Sequence, residues 1–190
     1  MRDMDWHPNE DAVLHFVETI LPRIRAEVPD VSFTVVGRNP TARVRELAER
    51  PGIFVTGTLD DVRPSIAEGS VYVVPLRAGG GTRLKIFEAM GLGKAVVSTT
   101  IGAEGLPVTD GADIVIADEP AVFAAAVVRL IRDDAARTRI ESAARRLVVE
   151  KYDWSAVAQD FEDALTRVAK RDTRLFPVSH ADNVAVPILS

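Results

Sequence analysis

The sequence contains no cysteine. That removes disulfides, thiolate metal sites and cysteine nucleophiles from consideration. Histidine is scarce: His7, His15 and His180 show neither ligand spacing nor a surrounding acidic cluster. His15 falls on a helix and is expected to be exposed. No run approaches the roughly 20 apolar residues that span a bilayer, and the longest are short pieces such as Val71–Leu76. The amino-terminal stretch Met1-Arg2-Asp3-Met4-Asp5-Trp6 is too polar for a secretory leader. The expectation is a soluble, cytoplasmic protein, with peripheral membrane contact left open. The sequence also lacks a Gly-x-x-x-x-Gly-Lys-[Ser/Thr] loop, because Gly93-Lys94 is followed by Ala95. No Gly-x-Gly-x-x-Gly opens a first βαβ unit. Both lacks argue against a P-loop NTPase and a dinucleotide dehydrogenase. Ser98 has no Gly-x-Ser-x-Gly elbow, so hydrolase chemistry has no support. Excess positive charge is missing as well. The net charge is −5 with both signs interspersed, which gives no general reason to bind nucleic acid. Any phosphate site must be local.

What is present is a globular composition, 47% hydrophobic and 27% charged over 190 residues. Short β-branched runs alternate with helical stretches. Ser32–Gly37, Ile53–Gly57, Val71–Pro75, Ala95–Ser98 and Asp113–Ala117 read as strands. They are apolar almost throughout rather than alternating, as in a parallel sheet covered on both faces. The first helix is expected to open at Asn9 as N-cap, with Glu10 and Asp11 at the positive end of its dipole. Val13, Phe16, Val17, Ile20, Leu21 and Ile24 then form one apolar stripe. Pro22 should kink this helix and Pro29-Asp30 should end it. Thr41 can cap a helix through Arg50. Asp60 or Asp61 can cap a short one through Ala67, a reading that outweighs a metal pair. Leu84–Met90 is helical and stops at Gly91-x-Gly93. Glu119–Arg132 and Ala135–Val149 are amphipathic, and a last helix begins at Asp153, with Trp154 and Phe161 as packing residues. The fold class is α/β, a Rossmann-like doubly wound parallel sheet with right-handed crossovers. One domain covers residues 1–170 and a tail covers 171–190. Ligands of such folds bind at the carboxyl ends of the strands.

The segment that carries chemistry is Pro75-Leu76-Arg77-Ala78-Gly79-Gly80-Gly81-Thr82-Arg83-Leu84-Lys85-Ile86-Phe87-Glu88-Ala89-Met90. It runs from strand through a triple-glycine turn into a helix. Glycines let backbone N–H groups approach a ligand. Thr82 can cap the helix. The unsatisfied first-turn N–H groups and the dipole suit a diphosphate. Arg83 and Lys85 add cations nearby. Glu88, further along the helix, can accept two hydroxyl hydrogen bonds, as a ribose diol offers. Without a ligand, the same residues describe an ordinary turn with solvated charges.

Gly79 to Thr99, read as Gly79-Gly80-Gly81-Thr82-Arg83-Leu84-Lys85-Ile86-Phe87-Glu88-Ala89-Met90-Gly91-Leu92-Gly93-Lys94-Ala95-Val96-Val97-Ser98-Thr99, resembles the signature of group 1 (family 4) glycosyltransferases of the GT-B fold. Asp5–Asn9, Pro29–Gly37, Phe54–Gly57, Gly102–Leu106 and Lys151–Trp154 resemble flanking pieces of the donor-binding, C-terminal domain in the same order. The resemblance covers about residues 3–168. It implies retaining transfer from a nucleoside-diphosphate sugar, with no metal and no cofactor. Gly80, Gly81 and Thr82 would meet the distal phosphate and sugar. Arg83 and Lys85 would neutralise the diphosphate, Glu88 would bind the ribose, and Gly57 and Leu59 would lie near the base. Glu104 divides evenly between a sugar contact and a loop-shaping role.

The pattern also departs from the family. The first Glu of its Glu-x7-Glu motif falls on Gly80. Its first-loop Arg and Lys fall on about Asp3 and Pro8. No residue offers an obvious catalytic acid or base. The acceptor domain lies outside the sequence, and the domain's first strand falls near or before Met1. The chain thus reads as a donor-binding half that needs an N-terminal acceptor domain or a partner chain. Unpaired strand edges would make a homodimer available. A non-catalytic α/β binding or regulatory module is the alternative reading.

Overall fold

The computed structural model describes residues 4–80 and 83–152, and those up to Glu150 belong to one compact unit. The expected helices at 153–170 and the tail at 171–190 lie outside the described residues, as do Gly81 and Thr82.

The β-branched runs become strands, each shorter than the apolar run that encodes it except β4, which matches its run. β1 is Phe33–Val35, β2 Ile53–Val55, β3 Val71–Val74, β4 Ala95–Ser98 and β5 Val115–Ile116. β1 pairs with β2 in parallel, Phe33 opposite Ile53. β4 pairs in parallel with β3 on one side and β5 on the other, Val71 opposite Ala95 and Val97 opposite Val115. The parallel α/β architecture is as expected, but these strands form two sheets, ordered β1-β2 and β3-β4-β5.

Helices cover both faces. Residues on β4 alternate between two cores. Ala95 and Val97 pack with Phe16, Ile20, Phe123 and Leu130, whereas Val96 packs with Ile86, Met90 and Ala144. Phe123 is fully buried and meets Phe16 edge-on, with ring centroids 6.3 Å apart. This two-sided burial explains why β4 reads as unbroken apolar sequence. The helices behind these cores are α5 (Leu84–Gly91), α7 (Pro120–Arg132) and α8 (Asp134–Tyr152), with the amino-terminal helical run on the first core.

That run differs from the sequence reading. It opens at His7, not Asn9: α1 spans His7–His15, Trp6 is its N-cap, and Asn9 is buried inside it. Pro8 near the first helical position sets the start, because its missing N–H is an orphan there anyway. Pro22 does not interrupt one long helix. A π-helical segment, Phe16–Ile20, precedes it, and α2 (Leu21–Glu27) begins around the proline. The extra residue of the π turn accommodates the lost N–H. The other starts follow the sequence more closely. Thr41 caps α3 (Ala42–Glu46) by accepting from Val44 N–H. Asp61 accepts from Arg63 N–H at 2.9 Å, one residue ahead of the N-cap Val62 of α4 (Arg63–Glu68).

Candidate functional site

The carboxyl ends of β3 and β4 create the site. Val74 ends β3, and its carbonyl accepts from Thr99 N–H at 3.2 Å. Thr99 then donates from its hydroxyl to Leu76 O and accepts from Gly102 N–H at 2.9 Å. One buried side chain therefore ties the loop after β3 to the start of α6 (Thr100–Ala103). Gly102 is required there. A Cβ on it would lie 2.3 Å from Ser98 Oγ and 2.9 Å from Val74 O. Asp118 secures the other side of α6 by accepting from Thr100 N–H and Oγ, each at 2.7 Å.

The glycine-rich loop leaves β3 and folds over the first turn of α1. Gly79 has φ +105°, and a Cβ there would stand 2.8 Å from Trp6 Cη2 and 3.1 Å from Pro8 Cβ. Only glycine fits both the conformation and the contact. Gly80 opens outward: a Cβ on it would meet nothing within 4 Å. The loop thus keeps one glycine against protein and the next facing open space. Arg77, just before them, forms a bidentate pair with Asp11 of α1, with Nε to Oδ2 at 3.0 Å.

The start of α5 departs from expectation. Its N-cap is Arg83, not Thr82, and Arg83 adopts the left-handed conformation, φ 51° and ψ 22°. That backbone turns its side chain inward rather than toward solvent. The guanidinium is buried, with Nη2 donating to Gly79 O at 2.8 Å and to Glu104 Oε2 at 3.2 Å. Its Nε is buried without a hydrogen-bond partner. Such an orphan is rare in folded proteins. Arg83 is therefore an internal cation behind the loop, with one donor still available.

Lys85 is half-buried and donates from Nζ to Asn9 Oδ1 at 2.9 Å. Asn9, read from the sequence as a helix cap, is instead a buried polar group that anchors this lysine beneath the loop. Glu104 is exposed and reaches back to Arg83. Glu88 is exposed on α5, and its charge is felt by Arg63 at the start of α4. Gly57 follows β2 with φ +67° and open space where a Cβ would stand, and Leu59 is half-buried beyond it. Hydrogen bonds thus join Gly79, Arg83 and Glu104 around the loop, and a separate one ties Lys85 to Asn9. Glu88 lies further along α5. Gly57 and Leu59 lie at the end of the other sheet.

Sequence reasoning missed four contributors: Trp6, Asn9, Asp11 and Gly102. Asn9 and Asp11 were read as helix-start residues, and Trp6 and Asn9 as part of the family-like piece Asp5–Asn9, none with a role in the site. Gly102 was read only as the start of the family-like piece Gly102–Leu106. His15, expected to be exposed, is half-buried against Thr19. Burial, with the Arg77 charge nearby, lowers its pKa. The Arg77 hydrogen bond holds the Asp11 carboxyl below its usual range. Among the described residues no group of three His, Asp or Glu could hold a metal, and no helix is long and apolar enough to cross a membrane.

Comparison with known proteins gives a consistent result. A family model described as glycosyl transferases group 1 matches residues 3–133. A phosphatidyl-myo-inositol mannosyltransferase of Mycolicibacterium smegmatis is 33% identical over 144 residues, covering 73% of this chain and 37% of that protein. An uncharacterized 44.6 kDa protein from the cps region of Klebsiella pneumoniae is 26% identical, covering 78% of this chain and 40% of its own length. The chain thus spans about two-fifths of these relatives. Among solved structures, HepE of Anabaena in complex with UDP superposes with a TM-score of 0.71 at 17% identity, over 88% of this chain and 47% of that one. The C-terminal domain of the group 1 family protein LpcC from Francisella tularensis superposes at 0.62 with 23% identity, over 75% of this chain and 80% of that one. These likenesses establish the fold.

Proposed function

The chain belongs to the group 1 glycosyl transferases, and from that membership we propose that it is the half that binds a nucleoside-diphosphate sugar. Transfer of the sugar, with retention at the anomeric carbon, would then require an N-terminal acceptor domain. The observation that carries the reading is the loop between β3 and α5. It combines an open glycine, Gly80, with a buried guanidinium, Arg83, that has one unpartnered N–H. A diphosphate over the open face of the loop meets backbone N–H groups of the glycine turn, and the buried guanidinium adds positive charge from behind it. Lys85, held by Asn9, contributes positive charge from below. Glu88 remains exposed to receive the ribose hydroxyls. The relatives named as mannosyltransferases and the neighbour named as a UDP complex favour a sugar nucleotide over other phosphates.

In this arrangement the chain stabilises the leaving diphosphate by preorganised donors rather than by a metal. Glu104 acts in shaping the loop, because its carboxylate is already engaged by Arg83. The test is calorimetric titration with UDP, GDP and ADP, then with their sugars. Binding of one diphosphate, weakened about tenfold in Glu88→Ala, is the expected outcome. A folded chain that takes up none of them would favour the non-catalytic module.

A further inference from the structure

The glycine loop after β3 takes its course from α1. Leu76 is buried at the root of the loop, and Arg77 follows it. Among the described residues, no backbone–backbone hydrogen bond involves Arg77, Ala78, Gly79 or Gly80. Glycine has the widest conformational choice of any residue. The path of such a loop is therefore set by the side chains that grip it.

α1 supplies those grips. Arg77 donates from Nε to Asp11 Oδ2 at 3.0 Å and from Nη2 to Asp11 Oδ1. A planar guanidinium paired at two atoms with a carboxylate is fixed in direction as well as in distance. Two residues earlier on the same helix, Asn9 accepts from Lys85, which lies on the far side of the loop, at 2.9 Å. Between these ties Gly79 rests on Trp6 and Pro8. Residues 6–11 thus meet the strand side, the middle and the helix side of the loop. The contact with Trp6 and Pro8 limits how near the loop can come. The fork alone gives its root a direction.

That fork does little for stability. Arg77 is 53% exposed and Asp11 27%, and partly solvated pairs contribute little to folding. The recess around it holds a second carboxylate: Glu18 lines the same pocket as Asp11 and Arg77, and Arg77 feels its charge.

We propose that Asp11 is a positioning residue for donor binding. Through its fork with Arg77 it fixes the course of Ala78-Gly79-Gly80, so that Gly80 presents its backbone to a diphosphate. Asp11 itself does not touch the ligand. The inference rests on the donor-binding reading given above. With Asp11 neutralised, the guanidinium is drawn toward Glu18, and the root of the loop moves with it.

The test compares Asp11→Asn, Arg77→Lys and the double variant with the parent. Arg77→Lys keeps the charge and loses the fork. Backbone order parameters of Gly79 and Gly80 are measured by NMR relaxation without ligand, beside Val97 in the three-stranded sheet. In each variant the two loop amides should fall from about 0.85 to below about 0.6, while Val97 stays unchanged. Calorimetry with UDP, GDP and ADP should show the preferred diphosphate bound about fivefold or more weakly by each single variant, with no further loss in the double. Affinity for the matching nucleoside monophosphate, which lacks the distal phosphate, should change less than about twofold. A general disturbance of the fold would weaken both ligands alike and would overturn the proposal. So would unchanged order parameters in Asp11→Asn. So would parental affinity in Arg77→Lys, because Arg77 would then act by charge alone. A parent that binds no diphosphate would defeat the donor-binding reading and the role in binding with it, while the order parameters would still show whether Asp11 holds the loop.

Discussion

Arg83 donates from Nη2 to Glu104 Oε2 at 3.2 Å, yet the two side chains live in different solvents: Arg83 is 3% exposed and Glu104 is 71% exposed. The pair is therefore asymmetric. Removing Glu104 frees a group that water can solvate. Removing Arg83 empties a buried site and strips Gly79 O of its donor. Arg83→Met should lower stability by about 1–3 kcal/mol, and Glu104→Gln by less than about 1 kcal/mol. Urea midpoints measure both. Equal losses would mean that Arg83 is not held by burial.

Glu88 offers a cleaner separation of binding from folding. It is exposed on α5 and takes part in no core contact. Glu88→Ala should leave the thermal midpoint nearly unchanged, since surface substitutions stay within about 0.5 kcal/mol. Affinity for the preferred nucleoside diphosphate should fall about tenfold, equivalent to about 1.4 kcal/mol. Unchanged affinity in calorimetry would remove Glu88 from the site.

Two glycines should behave differently. Gly102→Ala places a Cβ 2.3 Å from Ser98 Oγ and 2.9 Å from a backbone carbonyl, beneath α6. Neither neighbour can retreat far, so the loss of stability should be about 1–3 kcal/mol. Gly80→Ala meets nothing within 4 Å. It should fold as the parent does, within about 0.5 kcal/mol, while weakening diphosphate binding by blocking close approach. Thermal melts paired with titration distinguish the two, and similar melts for both would contradict the packing described for α6.

Acid stability should fall in two windows. His15 has a lowered pKa in the fold, from burial and the Arg77 charge. The fold prefers its neutral form, so stability is full above the unfolded value of about 6.5 and declines as pH drops below it. Asp11 is also lowered, by its hydrogen bond from Arg77. Its contribution is full above the unfolded value of about 3.9 and is lost as pH falls through the lower folded value. His15→Gln should flatten the upper window and Asp11→Asn the lower one. Each effect should stay below about 1 kcal/mol, because the Asp11–Arg77 pair and its surroundings are partly solvated. Denaturant midpoints across pH 3 to 7.5 read both.

Much of the fold was legible in the sequence because it is written in local signals. β4 matched its apolar run residue for residue, and α5 matched to within one residue. Thr41 capped the helix that its side chain predicts. The start of α1 was misread because Asn9 has good capping chemistry, whereas Pro8 and the contact of Trp6 with Gly79 set the true boundary. Likewise Thr82 has capping chemistry, but the chain turns left-handed at Arg83 and caps there.

By itself the sequence determined the element types, their order and the glycine turn between β3 and α5, since periodicity, β-branching and turn residues act over a few neighbours. Only the tertiary structure decided the rest. It buried Arg83 and gave it Glu104 across 21 positions. It brought Asn9 beneath Lys85 from 76 positions away. These are pairings between segments distant in the chain. Which partner each polar group finds depends on how sheets and helices pack, and no local pattern encodes that.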